Sequence, residues 1–177
     1  MVGATFAARA SDLRSHVSRY HLRRTDRELT DPGALDDILR RGSYVTVGLV
    51  QDGAPYVVSL SYGFDGARRA LYFHLATEGR KLDAITADPR VCATVVIDGG
   101  YRTGECKHDY ESVVIEGRMV IVDDPVERRH GMRVLVGRLE PDVTPLWERH
   151  GLQGDEPYAR MRIARLDIEA ITGKAGS

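Results

Sequence analysis

The sequence predicts a mainly β fold with flanking helices, in which six antiparallel strands form a barrel. Short turns containing glycine or proline separate most of the segments rich in β-branched and aromatic residues, and such turns join antiparallel strands. The predicted elements follow the order helix, three strands, helix, two strands, helix, strand. Six short strands in this arrangement favour closure into a barrel.

The N-terminal part of the chain is predicted to differ from the rest. Residues 1–22 are polar and rich in arginine, and we expect an arm that is either helical or disordered. Residues 23–177 are predicted to form a single domain. The first helix of that domain should begin after Asp31, which can cap it, and should end at Gly42. Its apolar side chains have helical spacing: Leu35, Ile38 and Leu39.

Strands are predicted from residue 43 onwards. Residues 43–50 and 55–64 should form a β-hairpin, because an Asp-Gly turn separates two segments rich in β-branched and aromatic residues. Residues 70–76 are the third predicted strand. A helix over residues 78–87 follows, and it ends where Pro89 forbids continuation.

The second half of the chain repeats this alternation of strands and helices. Residues 91–97 and 110–122 are the fourth and fifth predicted strands, and Gly117 inside the fifth indicates a bulge or a close backbone approach. A helix is expected over residues 125–139. A loop with three prolines then leads into the last strand, residues 159–173, where apolar residues alternate.

Composition limits the classes of function. With 42% hydrophobic and 29% charged residues, the chain resembles ordinary soluble globular proteins. Its formal net charge of −1 argues against nucleic-acid and anionic membrane partners. No apolar run reaches the ~18–20 residues needed to span a bilayer. Two cysteines are too few for a disulfide scaffold, and the N-terminus does not resemble a signal peptide, so we expect a cytoplasmic location.

One strand-to-helix junction, in LYFHLATEGRKLDAI (71–85), has an unusual charge pattern. Arg80 and Lys81 fall in the first turn of the helix, where the partial positive charge makes each cation unfavourable by roughly 0.3–1 kcal/mol. Thr77 as the N-cap would leave backbone N–H groups free, and Gly79 would let a ligand approach them. The junction therefore predicts an anion site that fits a phosphate, although a solvated surface pair is the alternative explanation.

Several segments, in this order, resemble the FMN-binding split-barrel proteins related to pyridoxamine 5′-phosphate oxidase, and among these the nitroimidazole-resistance (Nim-like) branch. The segments are QDGAPYVVSLSY (51–62), LYFHLATEGRKLDAI (71–85), PRVCATV (89–95), YESVVIEGRMVIVDDP (110–125) and ITGK (171–174), with RRTDREL (23–29) similar to the family's usual opening. The resemblance covers nearly the whole chain. It implies a six-stranded antiparallel split β-barrel and a homodimer with FMN in a groove between the subunits.

The resemblance also implies a set of cofactor-binding residues. Arg80 and Lys81 would hold the 5′-phosphate, and Ser112 would approach the flavin from a separate strand. The remaining implied residues are Val58, Ser59, Leu60, Ser61 and Tyr62, whose strand would run along the isoalloxazine ring with its backbone hydrogen-bonding groups, and His74 and Leu75 beside the phosphate or ring. Leu75 and Ser59 depart from the family, which often has serine and proline there, and Thr77 is the candidate to replace the missing hydroxyl.

His74 is the predicted catalytic residue, because the matching histidine of Nim-like proteins lies at the active site and imidazole titrates near neutrality. A partly buried histidine bonded to backbone is the alternative. The predicted function is flavin-dependent oxidation or reduction of a small organic substrate, with nitroaromatics among the candidates. A deazaflavin in place of FMN, or a flavin- or haem-binding protein without turnover, are the alternatives. Cys106 and His108 lack a third ligand at a usable spacing, so no metal is predicted.

Overall fold

The computed structural model describes residues 23–176. Its strands are β1 (Glu28–Leu29), β2 (Val45–Gln51), β3 (Ala54–Leu60), β4 (Gly63–Asp65), β5 (Ala70–Leu75), β6 (Arg90–Arg102), β7 (Lys107–Ile121) and β8 (Arg162–Gly176). Its α-helices are α1 (Pro32–Arg41), α2 (Arg80–Ala87), α3 (Pro125–Leu139) and α4 (Thr144–Arg149), with 3-10 turns at Thr25–Arg27 and Glu156–Arg160.

The eight strands form one antiparallel sheet with the order β3-β2-β6-β7-β8-β5-β4, and β1 pairs with β8. The predicted mainly β architecture with flanking helices is therefore confirmed. The sheet has two strands more than the six predicted, and α4 lies in the predicted proline-containing loop. Both additional strands, β1 and β4, have at most three residues, which is too short for a hydrophobic period to show in the sequence. The predicted arm, residues 1–22, lies outside the described part of the chain, and the domain boundary stays a prediction.

Two helices begin as the sequence predicts. The Asp31 carboxylate accepts a hydrogen bond from the backbone N–H of Ala34 at the start of α1. Asp124 accepts one from the N–H of Glu127 at the start of α3. In each helix a proline takes the first position. A backbone N–H there would have no acceptor within the helix, so the missing N–H of proline costs no hydrogen bond. The apolar side of α1 is buried, which confirms its predicted face.

The predicted β2–β3 hairpin is present, but the second predicted strand does not continue to residue 64. Asp52 and Gly53 have positive φ values of 53° and 76°, as a two-residue type I′ turn requires. Strand β3 ends at Leu60, and the side chain of Tyr62 enters the core. At Gly63 the chain begins β4, which pairs with β5 instead of β2. A Cβ atom on Gly63 would lie 2.6 Å from the backbone of α3, so the sheet changes its pairing where a helix packs against it.

Gly117 faces a bulge in the neighbouring strand. Glu116 pairs with Ala170 and Gly117 with Ile168, so Glu169 of β8 is the extra residue. A Cβ atom on Gly117 would lie 2.1 Å from the carbonyl oxygen of Asp167, so only glycine allows this backbone approach. The extra residue bends β8 locally and increases its twist against β7.

The sheet buries apolar side chains on two sides. The larger core lies inside the curved sheet, where α1 and α2 close it, and contains Leu39, Val47, Phe73 and Ile115. A second core lies between the outer face of β5 and β8 and the helices α3 and α4. It contains Tyr72, Met132, Trp147 and Ile163. Among residues 23–176, no helix combines the length and the apolar character that crossing a bilayer requires.

Candidate functional site

The strand-to-helix junction differs from its predicted form at the helix start. Helix α2 begins at Arg80, not at residue 78, and its N-cap is Gly79, not Thr77. Gly79 has a φ of 122°, a conformation open to glycine but strained for threonine or glutamate, so the chain can turn into the helix only there. Thr77 is exposed and makes no capping hydrogen bond, which makes the predicted capping role wrong.

The first turn of α2 presents free backbone donors. The N–H groups of Leu82 and Asp83 donate to the carbonyl oxygen of Gly79, at 2.9 and 3.3 Å. Within residues 23–176, the N–H groups of Arg80 and Lys81 have no backbone acceptor. A Cβ atom on Gly79 would meet nothing within 4 Å, so space is open in front of this helix end. Open donors and the helix dipole together suit an anion.

The side chain of Arg80 is held by two residues of the β2–β3 hairpin. Its Nε donates to Oε1 of Gln51 at 2.6 Å, and its guanidinium carbon lies 4.1 Å from the centre of the Tyr56 ring. Neither partner was predicted from the sequence. They lie in the segment that resembles the family, but nothing local in a sequence shows that this hairpin end will meet a helix more than twenty residues further on.

The edge of the sheet at β3 offers backbone groups at alternating positions. Strand β3 pairs with β2 alone, so its other edge is free. In an antiparallel ladder, alternate residues direct their backbone N–H and C=O groups toward the partner strand. Pro55 has no N–H to donate, so it occupies a position whose backbone groups point to the free edge. Val57 and Ser59 share that orientation, because residues two apart face the same edge. Val58 and Leu60 direct their backbone groups to β2 instead, so only part of the predicted stretch 58–62 has a free backbone.

Two of the predicted cofactor-binding side chains are buried in the main core. Leu75 is 3% exposed, and its side chain packs inside the sheet, away from any surface groove. The Tyr62 hydroxyl donates to the carbonyl oxygen of Leu39 at 2.7 Å, and burial raises the pKa of Tyr62 to about 12. The prediction that these residues contact a cofactor is therefore limited to their backbone atoms. Ser61 is exposed just beyond the end of β3.

His74 is exposed on the outer side of β5, the side that also carries Tyr72. Among the described residues its ring nitrogens have no hydrogen-bond partner, which speaks against the alternative of a histidine bonded to backbone. The protein atoms around the ring disfavour the charged form and lower the pKa of His74 below 6.5. A neutral imidazole at pH 7 can accept a proton.

Ser112 lies far from Arg80 within one chain. It pairs with Val96 on β6, two residues beyond Thr94, which pairs with Thr46 of β2. Arg80 contacts Gln51, at the opposite end of β2. At about 3.3 Å per residue, these positions differ by roughly 20 Å along the strand direction. A single chain therefore does not bring Ser112 to the phosphate site predicted at Arg80.

An apolar surface occupies the outward-facing side of β3, β2, β6 and β7, which we call the open face. Its large side chains are well exposed: Val57 62%, Val96 57% and Val114 42%, with Tyr44 62% beside them. Exposed apolar residues clustered on one face mark binding surfaces more often than scattered ones do. A cleft of about 350 Å³ borders this face, between the end of α1 and β6.

A comparison with known protein families matches residues 31–175 to pyridoxamine 5′-phosphate oxidase. The chain belongs to this family. The prediction of the family and of its split-barrel fold is thereby confirmed. Among curated proteins, none matches the chain in sequence.

Solved structures with the same fold include three whose descriptions name a ligand or an activity. A proposed 5-nitroimidazole antibiotic resistance protein from Bacteroides thetaiotaomicron has a TM-score of 0.71 and 21% identity, covering 84% of this chain and 86% of its own. An FAD-binding protein from Mesorhizobium loti has a TM-score of 0.62 and 26% identity, covering 85% and 98%. An FAD- and haem-binding protein from Mycobacterium smegmatis has a TM-score of 0.67 and 21% identity, covering 85% and 74%.

Proposed function

We propose that this protein binds FMN with its phosphate at the start of α2, and that it is a flavin-dependent oxidoreductase acting on a small organic substrate. Membership of the pyridoxamine 5′-phosphate oxidase family supports a flavin. The observation that carries the proposal is the guanidinium of Arg80, which lies at an open helix N-terminus and pairs with no carboxylate among the described residues.

The residues at this junction fit a phosphate. Arg80 and Lys81 supply two positive charges, and the backbone N–H groups of the first turn supply donors along the helix dipole. Gly79 leaves room for the anion. On the neighbouring free edge of β3, the backbone groups of Val57 and Ser59 would bind the polar edge of the flavin ring.

His74 is proposed to transfer a proton to or from the substrate. A bound flavin supplies the electron-transfer chemistry, while the protein supplies binding, orientation and proton donors or acceptors. The lowered pKa keeps the exposed imidazole of His74 neutral at pH 7, so it can accept a proton from the substrate and return it later in the cycle. His74→Ala should lower turnover by a larger factor than it lowers FMN affinity, and equal losses would make His74 a binding residue only.

The open face supports a homodimer with a flavin site shared between two chains. A second copy would bury Val57, Val96 and Val114, and it would bring its Ser112 to the flavin of the first chain. Such an interface should exceed the ~1,600 Å² that is typical of stable complexes. We expect sedimentation to show a dimer, which Val96→Asp shifts toward the monomer. A stable wild-type monomer that still binds FMN would exclude the shared site.

The phosphate site can be tested by comparing two flavins that differ only in the phosphate. Hydrogen bonds to charged groups contribute about 1.5–3 kcal/mol, so Arg80→Ala should weaken FMN binding roughly tenfold to a hundredfold. Riboflavin, which has no phosphate, should bind both proteins almost equally. Equal losses for the two flavins would mean that Arg80 and Lys81 form a solvated surface pair.

The absorption spectrum of the purified protein distinguishes the alternative cofactors. Two flavin bands support FMN or FAD, which the released cofactor then identifies by mass. A Soret band would support haem, which the description of the Mycobacterium smegmatis protein names together with FAD. A colourless protein that binds added deazaflavin better than FMN would favour the deazaflavin alternative.

A further inference from the structure

We propose that Gln51 and Tyr56 are positioning residues that orient the guanidinium of Arg80 toward the phosphate of the flavin. This inference rests on the proposed function, because it concerns how the same site is built. The evidence is the pair of contacts that the hairpin end makes with Arg80: the hydrogen bond from Nε to Gln51, 2.6 Å long, and the stacking on Tyr56, 4.1 Å to the ring centre.

These contacts leave the phosphate-binding part of the side chain available. Gln51 takes Nε, and the Tyr56 ring covers one face of the guanidinium. Among the described residues, Nη1 and Nη2 of Arg80 have no acceptor. These two nitrogens carry four of the five N–H donors of an arginine. Together they form the end of the guanidinium, which can bind a phosphate through two parallel hydrogen bonds.

The choice of a neutral partner preserves the positive charge. Most arginines of residues 23–176 that donate through Nε do so to a carboxylate, as Arg41, Arg90 and Arg165 do. Arg80 instead donates to the side-chain amide of Gln51. A carboxylate at this position would hold the guanidinium equally well but would compete with the phosphate for its charge.

Holding the side chain in advance favours binding through entropy. A free arginine side chain has many rotamers, and fixing them when a ligand arrives weakens affinity. Tyr56 and Gln51 belong to a two-residue hairpin with a regular register, so they form a stable support for the guanidinium. The orientation is thus set before the phosphate binds.

The test is a titration of FMN and riboflavin, followed by flavin fluorescence, into wild type and variants. Tyr56→Leu and Gln51→Ala should each weaken FMN binding roughly threefold to tenfold, and riboflavin binding by less than about twofold. Tyr56→Phe keeps the ring and should retain wild-type affinity for FMN. Gln51→Glu should weaken FMN binding more than Gln51→Ala does.

A double variant separates positioning from a direct contact. If Tyr56 acts through Arg80, then adding Tyr56→Leu to Arg80→Ala should cause no further loss of FMN affinity. Arg133 is the matched control, because it stacks on Trp147, 4.6 Å from the ring centre, in a different part of the fold. Arg133→Ala should leave both flavin affinities unchanged. Circular dichroism identifies any variant that does not fold, and Gln51→Ala, at a partly exposed strand end, keeps the test decisive if Tyr56→Leu fails.

The outcomes distinguish this inference from the proposed function. Equal losses of FMN and riboflavin in Tyr56→Leu and Gln51→Ala, or additive losses in the double variant, would overturn the positioning role while Arg80→Ala still discriminates the two flavins. If Arg80→Ala does not discriminate them, or if wild type binds neither flavin, the phosphate site and the inference both fail.

Discussion

The two outer faces of this sheet differ in what covers them. On β5 and β8, helices α3 and α4 bury Tyr72 and Ile163 and enclose a second core. On β3, β2, β6 and β7, the open face leaves Val57 and Val96 more than half exposed. The chain therefore completes one face with its own helices and presents the other to solvent.

Polar groups follow the same division. Beneath α3, Glu127 accepts hydrogen bonds from Arg165, Arg68 and the Tyr72 hydroxyl, and Asp65 lies 2.7 Å from Nε2 of His130. These carboxylates are largely shielded from solvent, at 20% and 10% exposure. Arg80, which the inward-facing residues Gln51 and Tyr56 hold at the hairpin end, has no carboxylate partner in the described chain. Paired charges stabilise the helix-covered face, whereas the unpaired charge of Arg80 is available to a ligand.

The largest expected difference between the faces is in the free energy of unfolding. Ile163→Ala removes a side chain buried under α3 and should cost about 2–5 kcal/mol. Val114→Ala on the open face should cost less than about 0.5 kcal/mol per folded chain. Urea unfolding at several protein concentrations measures both and separates the contribution of assembly. Similar costs for the two variants would mean that the open face is also buried within the folded chain.

A smaller effect should come from the charges under α3. Glu127→Gln leaves Arg165 and Arg68 without their shared carboxylate and should lower the free energy of unfolding by about 1–3 kcal/mol. Glu111 is the matched control, because it pairs with Arg41 at an exposed site. Glu111→Gln should cost at most about 1 kcal/mol. If the two variants cost the same, the shielding by α3 adds nothing to the ion pairs.

The smallest expected effect is a dependence of stability on acid pH. Burial alone would raise the pKa of Asp65, but hydrogen bonds from His130 and from the N–H of Arg68 outweigh it and lower the pKa below 3.8. A lowered pKa in the folded state stabilises the protein above the unfolded pKa and loses that contribution as pH falls through the folded value. The urea midpoint should therefore be constant down to about pH 5 and decline below about pH 4.

Asp65→Asn checks this assignment. The variant should be less stable near pH 6, and its urea midpoint should decline less steeply than that of wild type between about pH 4 and pH 2. An unchanged slope would place the acid dependence on other carboxylates. Glu127 is then the next carboxylate to replace. Burial alone would raise its pKa, but hydrogen bonds from Arg165 and Tyr72 outweigh burial and lower the pKa.

Sequence reasoning identified most of the fold because its signals are local. The caps at Asp31 and Asp124 and the Asp52-Gly53 turn each depend on backbone geometry within a few residues. The family resemblance added the split form of the barrel and the expectation that Arg80 and Lys81 hold the phosphate of FMN. The predicted helix start failed by two residues because both Thr77 and Gly79 can cap a helix, and the choice depended on a positive φ that only the turn geometry reveals.

What only the tertiary structure decided is which distant residues meet. Alternation in the sequence predicts that Tyr62 and Leu75 lie in strands, but sheet curvature and the packing of α3 against Gly63 decide that their side chains enter the core. Packing likewise brings the hairpin residues Gln51 and Tyr56 to Arg80 and leaves Ser112 at the other end of the sheet. By itself the sequence determined most of the elements and predicted an anion site at Arg80 and Lys81, since both follow from neighbouring residues. The support of Arg80 arises from contacts between segments far apart in the chain, which local propensities do not encode.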